Sequence, residues 1–148
     1  MREGEIIEGG FWDGTEVISV YTRAQAIEDG VLVECDRDGI VKEAGFKVPV
    51  AVTHAVWTIL EPTDEEREGW GQSVEGRLWD LLWMARVGGA VRQRVLGDGS
   101  HEKHYEALFQ MRGREDYRSG LRKLRFKLIS GPGDEGEHVI TIMLPEES

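Results

Sequence analysis

The chain has little of what staples, anchors or spans. One cysteine, Cys35, leaves no intrachain disulfide to form, and nothing points to an oxidising compartment. Uninterrupted apolar runs last only a few residues, far short of the ~20 that cross a bilayer as a helix. The opening "MREGEIIEGG" has no apolar stretch of the kind a signal peptide needs. Internal repeats and low-complexity tracts are missing as well. These absences predict a cytoplasmic protein with no membrane partner. They leave the oligomeric state open.

What is present predicts a folded domain. With 40% hydrophobic and 31% charged residues, the chain lies outside the composition of disordered proteins. Its 148 residues fit a single domain, 1–148, with a core that needs no staples. The net charge of −10 is unevenly spread. Residues 1–75 hold 17 acids and 6 bases, residues 76–130 hold 6 acids and 12 bases, and the last 18 residues hold 5 acids and no base. The acidic first half and basic middle either attract each other within the fold or face partners of opposite sign.

In "YTRAQAIEDGVLVECDRDG", Thr22 and Gln25 form a capping box that opens a short helix, and Gly30 ends it. "VLVE" then reads as a short strand and "DRDG" as a turn. "GIVKEAGF" suggests another short helix closed by Gly45. "KVPVAVTHAVWTILEP" reads as an extended stretch and then a helix from about Thr53, stopped at Pro62. "TDEEREGWGQ", acidic and broken by glycine, reads as a solvated connection. "SVEGRLWDLLWMARVGG" gives the strongest helix signal: Ser73 caps it and Gly88 or Gly89 ends it. Val74, Leu78, Leu81, Leu82 and Ala85 share one face, while Trp79, Trp83 and Met84 make it nearly apolar all round.

Further on, "HYEALFQMR", "LRKLRFKLIS" and "HVITIML" alternate or are rich in β-branched residues, as strands do. "RGREDYRSG" joins the first two, and "SGPGDEGE" makes a hairpin loop between the last two. The expected fold is α+β. Short N-terminal helices and a central Trp-rich helix pack on a C-terminal three- to four-stranded antiparallel sheet, with Val31–Glu34 as its possible fourth strand.

Four stretches, "YTRAQAIEDGVLVE", "EAGFKVPVAVT", "RLWDLLWM" and "GPGDEGEHVITIMLP", together carry a resemblance. The chain resembles a family of small proteins of unknown function found on bacterial plasmids, phages and other mobile elements. The resemblance runs from about Tyr21 to Pro145 and is weakest between Arg92 and Gly120. It carries over no catalytic or ligand residues. What it implies is genomic company, in which small proteins often disable host restriction or CRISPR systems by binding a component.

The residues themselves assign no catalytic centre, metal site or cofactor. Cys35 precedes the acidic "DRDG", which disfavours a thiolate and suits a small buried hydrophobe. Ser19, Ser73, Ser100, Ser119 and Ser130 lack a nucleophile signature. His101 and His104 in "HEKH" are one residue short of the zincin spacing and read as a surface loop. His54 and His138 have no companion by spacing. "GDGS" and "GPGDEG" carry carboxylates that repel phosphate and lack a following lysine. Asp80, beside Arg77 in the apolar helix, is expected to be a buried carboxylate that either docks the helix through an ion pair or works as an acid or base.

Two charged features remain. Arg122, Lys123, Arg125 and Lys127 lie on one strand, with Arg112, Arg114 and Arg118 just before it. They form a solvated face, grip an acidic protein surface or contact nucleic acid, though no outward aromatic accompanies them. Glu61, Asp64, Glu65, Glu66 and Glu68 form an acidic cluster that can occupy a nucleic-acid-binding groove on another protein. With the resemblance, these predict a non-enzymatic inhibitor that binds a host protein or ribonucleoprotein defence complex through charged surfaces. The alternative is a nucleic-acid-binding accessory protein that uses the basic strand 121–128.

Overall fold

A computed structural model of the chain describes residues 21–36, 39–111 and 121–147. The elements are α1 (Arg23–Glu28), β1 (Leu32–Glu34), α2 (Ile40–Glu43), β2 (Val50–Thr53), α3 (His54–Leu60), α4 (Asp64–Trp70), α5 (Val74–Val87), β3 (Arg92–Val95), β4 (His101–Gln110), β5 (Leu121–Pro132) and β6 (His138–Met143). The fold is α+β. Its sheet is larger than expected and mixed, with six strands in the order β1-β2-β6-β5-β4-β3. Every neighbouring pair is antiparallel except β2 and β6, which run parallel.

The antiparallel β4-β5-β6 meander matches the expectation, and β1 joins the same sheet. Two strands are additions. β2 is buried at all four positions, so its sequence reads as a continuous apolar run without the alternation that marks a half-buried strand. β3, "RQRV", is exposed throughout and carries the charged side chains typical of an edge. The solvated connection expected over "TDEEREGWGQ" is instead helix α4. Thr63 and Glu66 form its capping box, and Asp64, Glu65 and Glu66 occupy its first turn, where carboxylates complement the helix dipole.

The capping box at Thr22 is present as read, and Gly30 beyond the helix has φ +79°. A second cap comes from a distant loop. The Asp134 carboxylate, in the β5–β6 hairpin, accepts from the Arg23 N–H at 2.8 Å and the Ala24 N–H at 2.9 Å. Gly45 has two reasons to be glycine: its φ is +102°, and a Cβ there would lie 2.2 Å from the Arg86 Nε.

Pleating gives the sheet two faces. Val50, Val52, Ile140, Ile142, Phe126, Leu128, Tyr105, Ala107 and Phe109 turn to one side and are buried there. Leu78, Leu81, Leu82 and Ala85 of α5, with Val56 and Leu60 of α3, complete this core. Phe126 packs between Tyr105 (ring centroids 5.8 Å apart) and Phe109 (5.9 Å, edge-on). The Tyr105 hydroxyl donates to the Leu81 carbonyl at 3.1 Å, which fixes α5 on β4. The other side of the sheet is the back face.

Candidate interaction faces

Register places the basic strand. Residues opposite one another in an antiparallel pair share a face, so Lys123, Arg125 and Lys127 of β5 align with Leu108, Glu106 and His104 of β4 on the back face. Arg92 and Arg94 of β3 join the same face opposite His104 and Glu102. The side chains of Arg92, Arg94, Lys123 and Arg125 are 63%, 60%, 57% and 50% exposed. Arg122 turns the other way, opposite Phe109, and Lys127 donates to the Glu147 carbonyl. Arg112, Arg114 and Arg118, with the joining segment "RGREDYRSG", lie outside the described residues.

Carboxylates between the cations hold them in place. Glu102 is 4% exposed and lies 3.2 Å from Arg94, 3.9 Å from Arg92 and 2.6 Å from His104 Nε2. The His104 hydrogen bond and the Arg94 guanidinium hold the Glu102 carboxyl below its usual range. Glu106 meets Arg125 at 3.3 Å and Lys123 at 4.0 Å. The result is a lattice in which Arg92, Arg94, Lys123, Arg125 and Lys127 outnumber Glu102 and Glu106. The "HEKH" histidines are therefore on a strand, not a loop. Their spacing of three puts His101 and His104 on opposite faces of β4.

The acidic cluster divides. Asp64, Glu65 and Glu68 are exposed on α4, and Glu61 is exposed at the end of α3. Glu66 is not part of that surface. It is 2% exposed and lies 3.0 Å from Arg77. Arg77 also donates to the Ile59 carbonyl at 3.0 Å and the Gln110 carbonyl at 2.7 Å. One buried guanidinium thus joins α3, α4, α5 and the end of β4. The pairing expected for Asp80 belongs to Glu66. Asp80 is exposed at the surface of α5, and among the described residues no base or donor holds it. Partial burial raises its pKa.

Cys35 is fully buried, and burial pushes its thiol up to about 12, in line with a packing role. Ser130 and His138, read as lacking partners, are hydrogen-bonded to each other at the root of the β5–β6 hairpin. No described carboxylate orients that imidazole. Among the described residues no three of His, Cys, Asp and Glu converge as metal ligands, and no helix is long and apolar enough to cross a membrane.

The missed residues of the back face, Arg92, Arg94, Glu102, His104 and Glu106, did carry a signal. "RQR" and "EKHYE" place charge or imidazole at every second position, the strand period. No curated protein and no solved structure matches the chain. The model of a family of unknown function, DUF6573, matches residues 9–148, and the chain belongs to that family.

Proposed function

We propose that the protein is a non-enzymatic inhibitor from a mobile element, which docks on a host defence complex through its charged surfaces. The observation that carries this reading is the back face. Arg92 and Arg94 on β3, and Lys123 and Arg125 on β5, stand at least half exposed on the two strands that flank β4, and Glu102 and Glu106 of β4 lie between them. Cations placed by strand register and paired with the β4 carboxylates lose less freedom on binding, which favours an anionic partner. The exposed carboxylates of α4 offer a second contact of opposite sign. The mobile-element setting comes from the family resemblance in "RLWDLLWM" and "GPGDEGEHVITIMLP".

Affinity capture from host lysate tests the reading, comparing the natural chain with one carrying Arg92→Gln, Arg94→Gln, Lys123→Gln and Arg125→Gln. The natural chain is expected to recover a defined complex after nuclease treatment, and the variant to lose it at an unchanged melting temperature. Equal recovery by both removes the back face from the account. The second reading, nucleic-acid binding, has the row of cations in its favour. It predicts oligonucleotide binding at low salt that falls steeply as salt rises.

A further inference from the structure

The start of α1 is fixed beside the cation lattice. Arg23 donates to Thr141 Oγ1 at 2.5 Å and to the Ile140 carbonyl at 2.9 Å, while Asp134 caps the same turn. Ile140 and Ile142 point into the core, so Thr141 between them turns to the back face. Across the neighbouring strands Thr141 lies opposite Ile129, Ile129 opposite Glu102, and Glu102 opposite Arg94. One cross-strand row thus leads from the foot of α1 into the lattice. Three strand spacings, ~14 Å in all, separate Thr141 from Arg94. Apolar groups lie among the cations: Ile129 is half-buried, and Leu108, opposite Lys123, is 51% exposed.

The chain reaches this place from residues 1–20, which lie outside the described residues. They hold five acids, Glu3, Glu5, Glu8, Asp13 and Glu16, against one base, Arg2. Ile6, Ile7, Phe11 and Trp12 are interspersed with them. Twenty residues span up to ~66 Å, so about five suffice to cross from α1 to Arg94. We propose that residues 1–20 dock on the back face of their own sheet, with carboxylates on Arg92, Arg94, Lys123 and Arg125 and apolar side chains on Ile129 and Leu108. Charge selects this occupant, because the lattice has more cations than carboxylates and the segment has the reverse. The tether selects it again, since a short linker supplies its segment at roughly millimolar effective concentration. The other acidic surface, on α4, is fixed in the helical layer by the Glu66–Arg77 pair. Any external anion must displace the segment, and its apparent affinity falls with the fraction of chains whose face is free.

A nitroxide on Gly10→Cys in the full chain tests this, because that position keeps all five acids and Cys35 is fully buried. At low salt the label is expected to broaden the amide resonances of Arg94, Ile129 and Leu108 more than those of β1 and α4. Molar salt should relieve the broadening. So should Arg92→Gln, Arg94→Gln, Lys123→Gln and Arg125→Gln together, or replacement of the five acids by their amides, each at an unchanged melting temperature. Mixing labelled chains with unlabelled, isotope-enriched ones should give no broadening, as docking within one chain requires. No selective broadening at low salt overturns the proposal. So does broadening that survives either set of substitutions, or that appears in the mixture. No host partner enters the experiment, so its failure leaves the inhibitor reading standing.

Discussion

Replacing Arg77 by Met tests what fastens the helical layer to the sheet. The guanidinium is 1% exposed, lies 3.0 Å from a Glu66 side chain that is 3% exposed, and donates to the Ile59 and Gln110 carbonyls. Met keeps much of the apolar stem, so the substitution removes the charge and its donors with little change in packing. Removing one partner of a buried pair costs about 3–5 kcal/mol. Each buried carbonyl left without a donor adds ~1–3 kcal/mol where the site does not relax. A loss of about 4 kcal/mol or more is a large share of the ~5–15 kcal/mol that domains possess. At this chain length it corresponds to a fall of roughly 8–16 °C in Tm. Urea titration followed by tryptophan fluorescence and by far-ultraviolet circular dichroism measures it. Glu66→Gln preserves the capping box while removing the charge. The double variant should therefore be more stable than the sum of the single losses implies, by about 0.5–3 kcal/mol. A loss below ~1 kcal/mol for Arg77→Met, or strict additivity, refutes the reasoning.

Three further outcomes are expected. Cys35, buried with its thiol at about 12, should resist a thiol reagent at pH 8 until the protein is unfolded by denaturant. Fast stoichiometric labelling of the native chain contradicts this. Partial burial raises the Asp80 pKa, so ionisation there opposes folding. Asp80→Asn should raise Tm at pH 7, with a gain that shrinks as pH falls below the carboxyl pKa; a lower Tm at pH 7 would mean that Asp80 has a partner. The Asp134 carboxyl is held low chiefly by the Ala24 and Arg23 N–H groups. Its stabilisation is present above the ordinary aspartate pKa and is lost as pH falls through the lowered folded value. Asp134→Ala should lower Tm at pH 7, and this difference should vanish in acid; a difference independent of pH contradicts the capping role.

Local signals were legible in the sequence, and distant ones were not. Thr22 with Gln25, and Ser73 with the face of Leu78, Leu81, Leu82 and Ala85, depend on neighbours a few residues away, and both helices occur where those patterns lie. The β5–β6 hairpin is local too. By contrast, β2 joins β6 across most of the chain, and no short-range pattern encodes that parallel pairing. The glycines around α4 hid a helix, because its capping box and inward-facing Glu66 count for more than its missing apolar stripe. Burial was the other blind spot. Glu66 and Asp80 look alike as carboxylates, yet Glu66 of α4 lies buried against Arg77 while Asp80 of α5 stays at the surface. On the back face, the strand carrying Lys123 and Arg125 was legible, but its extension through Arg92 and Arg94 required the β3–β4 register.

The most direct measurement is a plating assay in a host with an active restriction or CRISPR system, infected by a phage which that system targets. Expression of the natural chain should raise plating efficiency. The chain with Gln at 92, 94, 123 and 125 should fail to do so while folding normally. No effect of the natural chain on any such system, or full protection by the variant, would contradict an inhibitor that works through the back of its sheet.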